Sequence, residues 1–447
     1  MLRVVKSKLK TFVGGIHPKD DGKSFTAGKK VVPASLPNKA YLFLNQHIGK
    51  PAQPIVQKGD TVKKGQLIAE SQGFISANVH ASISGKVVDI APWPHPIAGV
   101  KLPAIIIERA EDDSWVEDIA AIPDIDHNIS EAEIMHRIKS AGIVGLGGAT
   151  FPTHVKLAPP KDKKIDMVVV NGAECEPYLT CDHRLMLENP YEIIQGLKWF
   201  MKCIGCNSAH IGIEGNKKDA YLLIKDTVSK ESAIKVDLVE VKYPQGAEHQ
   251  IIKALLGREF KPRQLPLEVG VTVINVSTAF AIYEAVKYGR PLIQRIITVS
   301  GNGIENPQNF FVRLGTPVKQ LLEDAKVTGD INKIIFGGPM MGIAQGDIET
   351  AVTVKGIGGI IALRKARKWN SSACIRCGRC IDSCPYGLNP SELSVLSEAK
   401  NFDLMLESNV LECKECGCCS YICPSKRPIV HLIKFAKAEI AKQEVRA

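Results

Sequence analysis

Two cysteine runs carry the plainest chemistry in the chain: CIRCGRCIDSCP, beginning at Cys374, and CKECGCCSYICP, beginning at Cys413. Each holds the spacing C-x2-C-x2-C-x3-C-P, on Cys374, Cys377, Cys380 and Cys384 in the first and Cys413, Cys416, Cys419 and Cys423 in the second. Three thiolates this close wrap one loop around an iron–sulfur cubane, and the fourth, carried on the following turn, reaches a second cubane. The expected ligand sets are therefore Cys374, Cys377, Cys380 with Cys423, and Cys413, Cys416, Cys419 with Cys384. Cys418 breaks the spacing and is left over. Zinc would call for separated C-x2-C pairs instead. Such a relay moves single electrons and does no chemistry on a substrate, so another part of the chain must feed it.

The doubled spacing is that of bacterial two-cluster ferredoxins. The helical stretch between the runs, PSELSVLSEAKNFDLMLE, is longer than in a free ferredoxin, which implies fusion to something else. The candidate source of electrons is GLGGATFPTHVK, residues 145–156. It is neither a Walker loop nor a dinucleotide fingerprint. Gly145, Gly147 and Gly148 would let backbone N–H groups approach a phosphate or a flat ring, with Lys156 neutralising phosphate and Phe151 stacking. Four further loops belong with it: NGAECEP (171–177), IEGNKK (213–218), YPQGAEH (243–249) and INVST (274–278). Asn171, Glu174, Glu176, Tyr243, Gly246, Glu248, Asn275 and Thr278 would converge there as a polar, partly acidic pocket. Carboxylates repel phosphate, so they belong beside hydroxyls and an amide, with the glycines and Lys156 at the phosphate.

The elements that must position these residues follow from periodicity. DMVVVN, AHIGIEG, KVDLVEV and GVTVINV are apolar runs of strand length, each followed by a helical pattern. That alternation predicts an α/β domain over 125–290 with a largely parallel sheet, whose ligands bind at the carboxyl ends of the strands. Upstream, short strands and Lys-Gly and Ser-Gly turns over 31–110 resemble the barrel-sandwich fold of lipoyl carriers. No carrier lysine stands at the tip, so a structural or docking module is expected. Residues 291–350 read as a small β-grasp module resembling soluble-ligand-binding domains, and 366–447 as a helical two-cluster domain with a terminal helix. Residues 1–30 form a basic, irregular arm whose one sharp feature is FVGGIHP.

The order GGAxFP, NGxExEP, Tyr-x-x-Gly-x-Glu and Asn-Val-x-Thr resembles the FMN-bearing, NADH-oxidising subunit of respiratory complex I. That subunit ends in a single-cluster domain. The barrel-sandwich module, FVGGIHP and the two ferredoxin-type runs instead resemble the C subunit of the Rnf complex, a membrane-bound ferredoxin:NAD oxidoreductase that pumps ions. The resemblance implies FMN on Gly145, Gly147, Gly148, Lys156, Asn171, Glu174, Tyr243, Gly246, Asn275 and Thr278. It implies NAD(H) near Phe151, Glu176 and Glu248, and two 4Fe-4S clusters on the eight cysteines. It further implies partner subunits, among them a ferredoxin-like iron–sulfur protein and integral membrane proteins, and a peripheral place on the cytoplasmic face of a bacterial membrane. Leu146, Ala173 and Thr150 depart from the complex I pattern, which has arginine, aspartate and glycine there. A similar architecture serves flavin and iron–sulfur cobalamin reductases of microcompartments, and a non-catalytic electron-relay adaptor would keep the cysteines without the pocket.

Totals narrow the classes. With 447 residues, 45% hydrophobic and 23% charged, the chain has material for several cores. Nine of its thirteen cysteines lie in 374–423, a metal-binding distribution that suits a reducing compartment. No apolar run of about 18 residues suggests a membrane span, and the start has no apolar segment of a secretory signal. A net charge of +10 is compatible with acidic partners, but no nucleic-acid signature accompanies it, so nucleic acid is not an expected partner.

Overall fold

A computed structural model describes residues 9–19, 21–117, 119, 129–365 and 370–446. Its centre is a four-stranded parallel sheet in the order Ile234–Val239, Ala209–Glu214, Met167–Gly172, Val271–Asn275. Val168, Val169 and Val170 are fully buried, as a strand covered by helices on both faces requires. From Met167–Gly172 the chain moves to one side through two strands and returns on the other side with Val271–Asn275. The strand order therefore reverses between these two neighbours, and their carboxyl ends, Asn171 and Asn275, face each other in register. A crevice at such a reversal is where open α/β sheets hold ligands.

Helix packing keeps that edge rigid. Pro190–Ile204 begins on proline and stops at Gly205 in the left-handed region, so both of its ends are written locally. It lies against Val276–Tyr288 so closely that a Cβ on Gly196 would stand 1.9 Å from the Ala279 carbonyl oxygen. Only glycine permits that approach.

The segment 39–109 forms a sandwich of two antiparallel sheets. One has the order Lys39–Phe43, Lys101–Arg109, Gly85–Pro94, Thr61–Val62, and the other Gln53–Pro54, Leu67–Glu70, Val79–His80. The β-grasp region is larger than the expected 291–350. Its six-stranded sheet runs Val32–Pro33, Gln308–Arg313, Gln294–Ser300, Gly359–Leu363, Lys333–Phe336, Ile343–Gln345, with helix Val318–Asp324 against it. The sheet thus borrows an edge strand from the segment assigned to the sandwich and continues past 350. The reason is apolar: Ile360, Ile361 and Ala362 are fully buried and need strand neighbours on both sides.

The cysteine-rich region is helical. Ile429–Arg446 lays Ile429, Ile433, Ala436 and Ile440 onto a core that includes Leu393 and Met405. Its apolar stripe is used in packing within the domain. Among the described residues, no helix is long and apolar enough to cross a membrane.

Candidate functional site

The glycine loop reaches the sheet reversal, pinned at Leu146. The Leu146 N–H donates to Thr278 Oγ1 at 2.9 Å, and the Arg295 guanidinium donates to its carbonyl at 3.2 Å. A Cβ on Gly147 would stand 3.3 Å from Asn275 Cβ, so this residue closes onto the strand end. Gly148 has φ +132 and no atom within 4 Å of its Cβ position, which leaves it open for a flat or phosphorylated ligand. Gly145 holds the loop base by donating to the Phe151 carbonyl at 2.9 Å, and Phe151 is half-buried.

The asparagines at the strand ends do structural as well as polar work. Asn275 caps helix Val276–Tyr288 by accepting from Ser277 N–H, while its amide donates to Asp182 at 2.7 Å. Asn171 donates to the Gly246 carbonyl at 2.8 Å and accepts from Ala173 N–H. Burial, then the Glu174 charge, pushes the Asp182 carboxyl up to about 6. Lys156 donates to the Val273 carbonyl at 2.9 Å and lies 3.5 Å from Glu248, so the expected phosphate cation and nucleotide carboxylate form an ion pair.

Three expected site residues also hold neighbouring elements. Glu174, with φ +48, spends its carboxylate on the N–H groups of Asp182 and His183 at the start of helix Cys181–Glu188. It thereby caps that helix. The Tyr243 phenol is fully buried, and its hydroxyl donates to the Cys416 carbonyl at 2.8 Å. It joins the pocket loop to the second cysteine run. The Glu176 carboxylate accepts from Met340 N–H at 3.0 Å and Met341 N–H at 2.8 Å, and burial raises its pKa.

Several residues that set this geometry have no motif. Lys23, from the N-terminal arm, is buried and donates to the carbonyls of Glu174 (2.8 Å), Glu176 (2.8 Å) and Leu179 (2.6 Å). Lys217 donates to the Ala173 carbonyl at 2.7 Å and pairs with buried Glu214. Arg295 also donates to the Lys355 carbonyl. Clustered glycines in Gly337-Gly338-Pro339-Met340-Met341-Gly342 were the one available signal for the turn that binds Glu176.

The cysteines divide into two environments. A small cavity is lined by Cys384, Cys413, Cys416 and Cys419, together with Cys418, Tyr386 and apolar residues. Of these five thiols, the four that keep the ferredoxin spacing, Cys384, Cys413, Cys416 and Cys419, fit a 4Fe-4S cluster beside an apolar space. Of the other set, Cys380 and Cys423 are buried in the same helical core, Cys374 is half-buried and Cys377 is exposed. Cys418 packs with Ile16, Tyr243 and Cys416, its thiol 3.7 Å from the Tyr243 carbonyl oxygen. It fills the seam between the domains.

FVGGIHP finds its role at that seam. Ile16 exchanges two backbone hydrogen bonds with Tyr243, and Gly15 N–H donates to the Ser383 carbonyl at 2.9 Å. Gly15 has φ +78, and a Cβ there would lie 2.7 Å from the Tyr243 carbonyl oxygen. The arm straps the cysteine domain to the pocket loop.

Comparison with known proteins agrees with this layout. Residues 10–112 match the RnfC barrel sandwich hybrid domain, 138–284 the Nuo51 FMN-binding domain, and 367–424 the 4Fe-4S dicluster domain. The chain is 48% identical over 435 residues to the C subunit of a proton-translocating ferredoxin:NAD(+) oxidoreductase complex from Clostridium ljungdahlii, covering 96% of this chain and 94% of that one. It is 43% identical to the C subunit of the Na(+)-translocating complex of Acetobacterium woodii, covering 97% and 98%. It is 39% identical to the C subunit of an ion-translocating oxidoreductase complex from Rhodobacter capsulatus, covering 97% and 84%. Among solved structures, an NAD+-reducing [NiFe]-hydrogenase aligns at TM-score 0.49 and 18% identity, over 70% of this chain and 62% of that one.

Proposed function

The chain belongs to the family of C subunits of Rnf-type ferredoxin:NAD(+) oxidoreductase complexes, and from that premise we propose that it is the NADH- and FMN-bearing peripheral subunit of such a complex. It works at the cytoplasmic face of a bacterial membrane, exchanging electrons with a ferredoxin-like iron–sulfur subunit, while integral membrane partners translocate Na+ or H+. Bound flavin supplies the conversion between two-electron hydride chemistry and the one-electron chemistry of 4Fe-4S clusters.

The observation that carries this reading is the Tyr243 contact, which joins the loop at the sheet reversal to the Cys416 peptide. In the pocket, Gly148 leaves room for the cofactor, and Gly147, pinned through Leu146, sets how deep it enters. Asn171 and Asn275 fix the strand ends, with Thr278 holding the loop backbone. Glu176 and Glu248 flank the side assigned to NAD(H), near Phe151. The set Cys384, Cys413, Cys416, Cys419 lies toward the pocket, and the set Cys374, Cys377, Cys380, Cys423 opens to solvent at Cys377, the side for a protein partner.

The test is an anaerobic NADH titration of protein reconstituted with FMN, iron and sulfide, followed by visible absorbance. Joint bleaching of flavin and cluster bands is expected. Clusters that respond to dithionite but not to NADH would make the chain a relay adaptor and refute the pocket.

A further inference from the structure

The turn Gly337–Gly342 closes one end of the β-grasp sheet, yet both its faces touch redox machinery. On one face the N–H groups of Met340 and Met341 hold the two carboxylate oxygens of Glu176. A Cβ on Gly338 would lie 2.3 Å from Glu176 Oε2 and 2.5 Å from Glu176 Cβ, so the carboxylate reaches those donors only because residue 338 is glycine. On the other face, a Cβ on Gly417 would meet the Met340 carbonyl oxygen at 3.0 Å, and Gly417, at φ +86, turns the chain between Cys416 and Cys418. Met340 also packs in the apolar seam with Cys416, Cys418 and Tyr243.

We propose that this turn couples the nucleotide pocket to the Cys384–Cys413–Cys416–Cys419 site, with Gly338 positioning Glu176 and Met340 positioning the Cys416–Cys419 loop. The proposal rests on the assignment of Glu176 to NAD(H) made above. A buried carboxylate keeps its charge only while donors satisfy it. A nucleotide hydroxyl or amide that engages Glu176 competes with the Met340 and Met341 N–H groups. The turn they belong to is wedged against Gly417, and close-packed contacts of this kind pass a displacement on rather than absorb it.

The experiment uses holoprotein with FMN and both clusters, and tetrahydro-NADH as a probe that cannot donate hydride. Affinity is measured by titration, and dithionite-reduced clusters are followed by EPR with and without the probe. In the wild type the probe is expected to shift the EPR signal of one cluster. Gly338→Ala should weaken probe binding by about tenfold or more, with flavin and iron content retained. Met340→Ala, which keeps its backbone N–H, should abolish the EPR shift with probe affinity and iron content unchanged, and Met340→Leu, which refills the seam, should restore it; a role in folding alone would move iron content or affinity together with the shift. Wild-type affinity in Gly338→Ala, or an intact shift in Met340→Ala, overturns the proposal. Should Gly338→Ala lose flavin or iron, the two Met340 variants decide alone. A wild type that does not bind the probe at all refutes the NAD(H) reading itself, and one that binds without an EPR shift refutes only the coupling.

Discussion

Lys23 holds three carbonyls of the 174–179 loop from a position 151 residues away from the first of them. Burial, then the nearby Lys217, lowers its pKa, so the arrangement survives because the carbonyls take up its N–H groups. Lys23→Met would leave those carbonyls without a donor, at about 1–3 kcal/mol for each one that cannot reach water, offset in part by no longer burying a charge. A net destabilisation of roughly 2–4 kcal/mol is expected in urea unfolding, with weaker NADH binding. Unchanged stability would mean that solvent or a neighbour replaces the amine. Glu176→Gln keeps one acceptor oxygen but turns an NH2 group toward a backbone N–H. About tenfold weaker NADH binding with FMN retained is expected, by anaerobic titration and flavin content; loss of both ligands would show that Glu176 belongs to the flavin. Asn171, Asn275 and the glycines were legible because strand ends and turn residues advertise themselves within a few positions. Lys23 and Arg295 were not, because their partners come together only through the tertiary fold.

At the scale of elements, short local signals marked the four central strands well, since each is an apolar run bounded by turn residues. The β-grasp boundary was harder to read. Gly359–Leu363 follows a long stretch of turns, and nothing nearby says that it pairs with Gln294–Ser300 and Lys333–Phe336. The arm was harder still: FVGGIHP reads as a loop until Ile16 pairs with Tyr243 and Gly15 reaches Ser383. That strap yields a prediction at this scale. Gly15→Ala would force a side chain into a left-handed backbone position and against the Tyr243 carbonyl. Loosening of the cysteine domain is expected, at a cost of about 1–3 kcal/mol. Limited proteolysis should release the cysteine domain from the variant faster than from the wild type, with iron content preserved. Equal rates would assign the docking to the Tyr243–Cys416 contact alone.

Across the whole molecule, Lys355 ties the modules together. Its buried amine donates to the Asn78 carbonyl of the sandwich at 3.0 Å and to the Gly142 carbonyl before the glycine loop at 2.7 Å. Its own N–H donates to Gln46, and its carbonyl accepts from Arg295, which holds Leu146. Burial lowers its pKa from 10.5 to about 7. In the folded state the amine is therefore mostly neutral above about pH 7, whereas the unfolded chain keeps its proton up to about 10.5. The unfolded state binds more protons between those values, so stability rises with pH there, and the full cost of the buried charge is felt below the folded value. Lys23, lowered by burial, acts in the same sense. Cys175, pushed up to about 12 by burial, acts in the opposite sense only above its ordinary value of 9.0. His47 and His80, lowered by burial from 6.5 to about 4 and about 3, act in the same sense, and their contribution has nearly ended where this window begins. Between about pH 7 and 8.5 a gain of roughly 2 kcal/mol is expected, read as a rising Tm of the holoprotein. Lys355→Met leaves two carbonyls without their donor and should lower Tm throughout, but its diagnostic effect is a shallower slope across that window. A variant that keeps the wild-type slope would assign the titration to Lys23, and the junction at Lys355 would then be held by a lysine that never changes charge.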